Sequence, residues 1–236
     1  MEYPLGHPDL AEQRWEQALA ITRRLGDESA VAILLHRLAD AEIVLRGDLA
    51  RARVLAEESL AGHRRNGFRR GEALVLTTLA AIARAEGDLG GALELLHEAR
   101  SIAEETHFRW WLSGVLARIA AVSLELGRLD DAGQSARRAL ELSVGMNDRK
   151  AFVYELSLLA EISARDGESR RAGTLWGSAA AENDRMWVGR WLFGTLEPER
   201  ILAYAGEAFE LGLAAGRELP LEDAIALALE QPADAT

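Results

Sequence analysis

The stretch Gly87-Asp88-Leu89-Gly90-Gly91-Ala92 lies in the middle part of the chain and returns, in altered form, at a fixed interval. Its counterparts are Gly47–Ala52, Gly127–Ala132 and Gly167–Ala172. In each of them an alanine follows the glycine by five residues, and the glycines recur with a constant period of 40. A signature that recurs at a constant period predicts one structural unit copied along the chain.

The sequence on either side of each glycine has the spacing of an amphipathic helix. Around the central glycine the apolar positions are Leu74, Leu76, Leu79, Ala80 and Ala83 before it and Leu93, Leu95, Leu96, Ala99, Ile102 and Ala103 after it. No proline occurs between Pro8 and Pro198, so no proline ring interrupts a helix in that span. Each unit is therefore predicted to be a helical hairpin with the glycine in its turn.

A small residue in the first helix, the glycine in the turn and the alanine after it resemble the skeleton of the tetratricopeptide repeat, from about residue 8 to residue 185. The resemblance implies an all-α fold, a right-handed superhelix of helical hairpins. The period of 40 is longer than the roughly 34 residues usual in that family. The longer unit is similar to the C-terminal superhelix of large ATP-dependent bacterial regulators of the MalT and LuxR type, and of related signalling ATPases.

We expect two regions, a repeat array over residues 1–185 and a helical cap with a tail over residues 186–236. The array starts half a repeat in, because Asp9–Leu25 fits the second helix of a hairpin, and about nine helices are expected up to Arg185. The first hairpin carries one extra residue, since Leu38-Ala39 sits one place earlier than its counterpart Leu79-Ala80. Beyond residue 185 the period fails, and helices that follow an array cover its exposed end.

A second resemblance covers the end of the chain. Arg171–Ala180, Gly216-Arg217 and Glu222–Leu229 are similar to the end of the superhelix in the LuxR-type regulators, where a helix-turn-helix domain often follows. Here the sequence stops at Gln231–Thr236, and it contains no phosphate-binding Gly-x-x-x-x-Gly-Lys-Ser/Thr motif. The DNA-binding and ATPase domains of that family are therefore expected to be missing parts of the same protein. Only the regulatory superhelix is carried over.

Composition excludes several classes of function. The formal net charge of −11 argues against direct nucleic-acid binding, which depends on clustered Lys and Arg. The chain has no cysteine, which fits a reducing compartment, and neither a signal peptide nor a long apolar stretch occurs. We therefore expect a cytoplasmic protein that does not bind a membrane.

Catalytic signatures are missing from the sequence. The metalloprotease, hydrolase and dinucleotide-binding motifs do not occur, and no cofactor is implied. His97 lies near Glu94 and Glu98, but a solvated helix face explains this group better than a metal site. The chain is thus predicted to be neither an enzyme nor a metal protein.

Two surfaces are candidates for partner binding. A basic rim is formed by Arg69, Arg109, Arg149 and Lys150, the three arginines standing at the same site in successive units. Either these arginines pair with acids on the preceding helix (Glu57, Glu58, Glu104 or Glu105), or they meet an acidic partner or phosphorylated ligand. By resemblance to the repeat family, a concave groove would be lined by Leu34, Arg37, Leu74, Thr77, Arg84, Ala117, Leu124, Tyr154, Ser157 and Glu161. It would hold a protein partner or a small effector, or else be filled by the C-terminal segment of the chain itself.

Tryptophan is concentrated near the end of the array. Trp176, Trp187 and Trp191 are expected to form the core of the cap, since aromatic side chains there are more often core than ligand cage. Trp110 and Trp111 point in different directions on one helix, so at least one of them is expected to be exposed.

The functional prediction is a non-catalytic binding module, the sensor or partner-docking superhelix of a larger bacterial transcriptional or signalling regulator. The alternative is a free-standing scaffold or adaptor protein.

Overall fold

The computed structural model describes residues 8–186 and 201–230, which form α-helices with no strand among them. The helices are α1 (Pro8–Leu25), α2 (Glu28–Ala41), α3 (Leu49–Arg65), α4 (Arg69–Ala85), α5 (Leu89–Glu105), α6 (Arg109–Glu125), α7 (Leu129–Met146), α8 (Arg149–Arg165), α9 (Ser169–Met186), α10 (Glu207–Glu218) and α11 (Leu221–Leu229). A π-helical turn, Glu42–Arg46, continues α2. The nine helices described between Pro8 and Met186 agree with the number expected. Trp187, Trp191 and the predicted helix start at Pro198 lie outside the described residues.

The repeated glycine ends one helix of a hairpin and the next residue begins the other. Gly47 and Gly87 have φ values of 67° and 87°, in the left-handed region where a side chain would be strained. Asp48 then accepts a hydrogen bond from the backbone N–H of Arg51 at 2.9 Å, which caps α3. The repeated Gly-x-x-x-x-Ala stretch therefore marks the end of one helix and the start of the next. Arg128 takes the capping position before α7 and makes no such bond.

Two positions of the repeat, five and twelve residues after the glycine, hold small residues that are buried within the hairpins. Ala52, Ala92, Ala132 and Ala172 are all fully buried, and so are Ser59, Ala99, Ala139 and Ala179. The Ser59 hydroxyl donates to the carbonyl of Ala32 at 2.6 Å, so α2 and α3 are in close contact at this point. A larger side chain in such a column would overpack the hairpin, which costs about 1–3 kcal/mol.

The extra residue of the first hairpin is accommodated by the π-helical turn. The interval from the start of α2 to the start of α4 is one residue longer than the interval from the start of α3 to the start of α5. A π turn inserts one residue into a helix without breaking it. It brings Glu42 into a buried position, where its carboxylate pairs with Arg51 at 2.7 Å and with Arg46 at 3.8 Å.

The chain divides by its internal contacts into two compact units, with the boundary after Phe108. In the first unit, α2 packs with α3 and α4 packs with α5. In the second, α6 packs with α7 and α8 packs with α9, and α10 and α11 both pack against α9. The division into a repeat array over residues 1–185 and a helical cap with a tail over residues 186–236 stays a prediction. None of the described helices has the length and apolar character needed to cross a membrane.

Glycines allow α9 and α10 to pack closely. A Cβ atom on Gly173 would lie 2.9 Å from the backbone nitrogen of Leu213, and one on Gly216 would lie 2.9 Å from the Cα of Thr174. The Ser178 hydroxyl donates to the carbonyl of Gly216 at 2.9 Å. No side chain fits between the two backbones at these points, so α10 is fixed against α9.

Candidate binding surfaces

In the first unit the predicted groove residues lie along α2 and α4. Leu74 and Arg84 are half-buried, and so are Leu34 and Arg37. Thr77 is buried, and its hydroxyl donates to a backbone carbonyl one turn earlier at 2.7 Å. Four of these five side chains are therefore accessible to a ligand, and Thr77 is not.

The register of α2 differs by one residue from that of α4. Because the interval between the two helix starts carries the extra residue, the α2 residues that share a helix position with Leu74 and Thr77 are Ile33 and His36. Each lies one residue before the groove residue predicted from a strict period of 40. Ile33 is 44% exposed, which makes it a stronger candidate for contact with a partner than a buried residue would be. The groove itself stays a prediction.

His36 belongs to a buried hydrogen-bonded network that ties α2 to α4. Its Nε2 atom lies 3.0 Å from the Thr78 hydroxyl oxygen, and that hydroxyl donates to Asp40 Oδ1 at 2.9 Å. Because the Thr78 hydroxyl gives its own proton to Asp40, the contact with His36 Nε2 is a hydrogen bond when that nitrogen carries a proton. Burial lowers the pKa of His36. Asp40 thus serves the contact between hairpins.

In the second unit most of the predicted groove residues are packed. Ala117, Leu124, Ser157 and Glu161 are buried, and Tyr154 is half-buried. The Ser157 hydroxyl donates to the carbonyl of Tyr154 at 2.6 Å. Of this set, Tyr154 presents the most accessible side chain to a ligand.

Glu161 takes part in an ion pair within the second unit. Arg165 donates to Glu161 Oε1 at 2.6 Å and to the backbone carbonyl of Leu124 at 2.7 Å. The carboxylate of Glu161 is therefore a partner of the guanidinium group, which links α8 to the end of α6. This use of Glu161 is structural.

The rim arginines are the first residues of α4, α6 and α8, as the arginine spacing predicts. Arg69 pairs with Glu72 at 2.6 Å and with Glu105 at 3.0 Å, and Arg149 pairs with Glu182 at 2.7 Å. The expected partners were acids of the preceding helix, but both inter-helix pairs are made with the following helix. The hydrogen bond from Arg149 holds the pKa of Glu182 below its usual range, although Glu182 is fully buried.

The remaining rim residues, Arg109 and Lys150, are exposed. A guanidinium nitrogen of Arg109 lies 3.7 Å from the position that a Cβ atom of Gly145 would occupy. Among the described residues, no carboxylate lies within ion-pair distance of Arg109. Arg109 therefore differs from Arg69 and Arg149.

Trp110 is exposed, in agreement with the expectation for this pair of tryptophans. It is 53% exposed, and its indole N–H donates to Asp148 Oδ2 at 3.2 Å. Its ring centroid lies 5.6 Å from that of Trp111, and the Arg118 guanidinium lies 5.8 Å from the Trp111 ring. Trp176, by contrast, is buried in the second unit.

Glu155 is a buried carboxyl that the sequence analysis did not single out. It is 1% exposed and accepts a hydrogen bond from the Ser143 hydroxyl at 2.8 Å, while its second oxygen has no partner among the described residues. Burial raises the pKa of Glu155 to about 8. The sequence carries a sign of this burial, because the two preceding repeats have an apolar residue at the same position, Val75 and Val115.

An open cleft of about 250 Å³ lies in the first unit beside α2 and α3. Its charged lining residues are paired with one another, Arg23 with Glu58 at 2.7 Å and Arg65 with Glu28 at 3.5 Å. These pairs bridge neighbouring helices, so the cleft offers a ligand no unpaired charge from these four side chains.

The polar groups considered for metal binding do not converge. His97 is exposed, and Glu98 pairs with Arg64 at 2.8 Å. Within residues 8–186 and 201–230, no group of three histidine, aspartate or glutamate side chains is arranged to hold a metal ion.

The first described helix leaves apolar side chains uncovered. Ile21 of α1 is 52% exposed and Leu25 is 75% exposed. Ile102 stands at the position of Ile21 in a later second helix, α5, and is 1% exposed. The difference arises because α5 has a first helix of its own hairpin against this face, whereas no described helix covers it on α1.

No protein-family model and no curated protein matches the chain. Among solved structures it is similar to BtubC (BKLC) from P. vanneervenii, with a TM-score of 0.66 and 16% identity over 94% of this chain and 89% of that chain. It is also similar to a P. anserina protein described as a kinesin light chain with nearly identical TPR-like repeats, with a TM-score of 0.60 and 18% identity over 77% of this chain and 89% of that chain.

The chain folds as a tetratricopeptide-like helical repeat. At 16% and 18% identity the two likenesses establish the fold alone. They confirm the all-α hairpin fold that the sequence predicts. The specific resemblance to MalT and LuxR-type regulators stays a prediction.

Proposed function

We propose that the chain is a non-catalytic binding module that holds a protein segment or a small effector on the first helices of its hairpins. The observation that carries the proposal is the contrast between columns of the repeat. Positions where helices meet are constant and small, as in Ala52 and Ala92, whereas the accessible position of the first helices varies from Ile33 to Leu74 to Tyr154. Repeat folds of this class generally bind through such surface positions while the packing positions keep the scaffold rigid.

A thermal-shift screen of metabolites and peptides would test this proposal, with Arg84→Ala reporting on the first unit and Tyr154→Ala on the second. A ligand that raises the melting temperature of the wild type should raise that of one variant by less, because stabilisation by a ligand follows its affinity for the folded state. Arg138→Ala serves as the control, since Arg138 is exposed and pairs within its own helix with Glu141. Equal shifts in all four proteins would remove the groove from consideration.

We propose further that the module is the sensor or partner-docking region of a larger cytoplasmic regulator of bacterial transcription or signalling. The sequence resemblance of Arg171–Ala180 and Glu222–Leu229 to regulator superhelices supports this. Ligand binding would then bias ATPase and DNA-binding domains of the same protein through a coupling free energy. A reading frame that continues upstream into a phosphate-binding loop domain is the expected result; a stop codon and a ribosome-binding site before Met1 would contradict it.

A free-standing scaffold is the second candidate. The chain covers 89% of each of the two neighbouring structures, so an array of this length also makes up most of those chains. A scaffold of this kind would bind two partners at once. Size-exclusion chromatography with light scattering would show a ternary complex for a scaffold, and one partner at a time would contradict it.

A further inference from the structure

Arg109 occupies a rim position whose usual partners have been replaced. Arg69 and Arg149 are held by Glu72, Glu105 and Glu182. When the repeats are aligned on Arg109, the residues at the positions of Glu72, Glu105 and Glu182 are Leu112, Gly145 and Leu142. All three carboxylates are therefore absent at once, and no other described carboxylate pairs with this guanidinium.

One further position near Arg109 in the sequence pattern is apolar where the corresponding position of the preceding repeat is acidic. Val144 stands at the position of Glu104 and is 41% exposed. It precedes Gly145, against which the Arg109 guanidinium lies. The last turn of α7 thus carries an exposed valine next in sequence to the glycine that Arg109 approaches.

Trp110 extends this surface along the same turn. Its indole nitrogen lies 3.2 Å from Asp148, three residues after Gly145, so Arg109 and Trp110 flank one turn. Asp148 also accepts a hydrogen bond from the backbone N–H of Ala151 at 3.2 Å, which caps α8. Its carboxylate therefore accepts two hydrogen bonds, and the half-exposed indole follows Arg109 directly in α6.

Electrostatics favours an acidic occupant at this surface. An exposed guanidinium forms bidentate hydrogen bonds with carboxylates. The formal net charge of −11 disfavours an acidic partner over the surface as a whole, so a site for one requires a local cation that no carboxylate neutralises. Such a charge sets where a partner docks and how fast it associates more than its total affinity.

We propose that Arg109, Trp110 and Val144, together the Arg109 surface, dock an acidic segment of a partner protein. A glutamate or aspartate of the segment pairs with Arg109, and a neighbouring apolar side chain packs on Trp110 and Val144. The inference rests on the proposed binding function and gives it a class of partner and a location apart from the groove.

The test uses a fluorescein-labelled octapeptide of alternating Glu and Leu, with a Gln and Leu octapeptide as its uncharged match. Fluorescence anisotropy should show that the wild-type chain binds the Glu peptide, that added salt weakens binding, and that the Gln peptide binds at least about fivefold more weakly. Failure of the wild type to bind the Glu peptide, or equal binding of both peptides, overturns the proposal.

Gly145→Glu is the most informative variant. Gly145 is helical and not at a positive φ, and an added Cβ meets only Arg109 at an ordinary contact distance. The new carboxylate should pair with Arg109 as Glu105 pairs with Arg69, and so mask the site in a folded chain. Binding of the Glu peptide should fall about two- to fivefold in Gly145→Glu and in Arg109→Ala. It should be unchanged in Arg138→Ala.

The outcomes separate this proposal from the groove. Tyr154→Ala should leave peptide binding intact, whereas loss of binding in Tyr154→Ala together with full binding in Gly145→Glu would assign the peptide to the groove and overturn the Arg109 surface. Circular dichroism melts of each variant confirm that the change in binding does not reflect unfolding.

Discussion

Replacing Glu155 by glutamine should remove a pH dependence that the wild-type stability carries between about pH 4.5 and pH 8. Burial raises the pKa of Glu155 in the folded chain to about 8, so the folded state keeps a proton that the unfolded state releases near pH 4.5. Within that window stability falls as the pH rises, because the folded state binds more protons than the unfolded state. Each pKa unit corresponds to roughly 1.4 kcal/mol, so the loss is of the order of 5 kcal/mol once the pH passes the folded-state pKa.

Glutamine is the matched replacement because it has the shape of the protonated carboxyl group. Its carbonyl can still accept the hydrogen bond from Ser143, and it cannot ionise. Urea unfolding of both chains, followed by circular dichroism at intervals from pH 5 to pH 9, gives the free energy of unfolding. The stabilities of the variant and the wild type should be closest at pH 5, and the variant should exceed the wild type increasingly up to pH 8. Glu141→Gln, at an exposed site, should follow the wild type at every pH.

The reasoning would be refuted if the curves of the wild type and the Glu155→Gln variant ran parallel over the whole pH range. A second variant separates burial from hydrogen bonding. Glu155→Val restores the residue found at Val75 and Val115 and should be more stable than the wild type at pH 8, because no charge then needs to be buried. A Glu155→Val chain less stable than the wild type at that pH would show that Glu155 is not an uncompensated buried acid.

Three further changes test the packing. Gly145→Glu should raise the free energy of unfolding by about 1 kcal/mol, through helix propensity and a pair with Arg109, and a lower melting temperature would contradict the pairing. Gly216→Ala should destabilise the second unit by about 2 kcal/mol or more, because its Cβ atom would overlap α9. Gly206→Ala is the control and should be nearly neutral, since a Cβ atom there meets nothing within 4 Å. Equal melting temperatures of the two variants would argue against the close packing. Ala99→Leu should cost about 2 kcal/mol by overpacking a hairpin, and an unchanged denaturation midpoint would show that this column is not a packing site.

The hairpins were predictable because period and helix spacing are both local properties of the sequence. The glycine and the alanine five residues later fix where each turn lies, and the shift at Leu38-Ala39 already indicated an extra residue in the first hairpin. Its accommodation as a π turn at Glu42–Arg46 was not predictable, because an extra residue can also be placed in a loop.

The contacts between elements were harder to predict. The sequence shows the arginine column and predicts that Arg69 pairs with the preceding helix, but its inter-helix partner, Glu105, lies on the following helix. The spacing of residues does not determine which neighbouring helix a long side chain reaches. Gly173 and Gly216 carried a detectable signal, because each belongs to a pair of glycines spaced by four residues. That spacing indicates close helix packing only when the second helix is known.

The central claim is that this protein binds a partner through side chains on its helical hairpins and performs no chemistry on that partner. Hydrogen-exchange mass spectrometry of the chain with the Glu and Leu octapeptide, together with the mass of the recovered peptide, tests this claim most directly. Hydrogen exchange should slow on binding at the start of α6 and at the turn between α7 and α8, and the peptide should be recovered with its mass unchanged. A peptide of altered mass, or protection distributed evenly over both units, would contradict the claim.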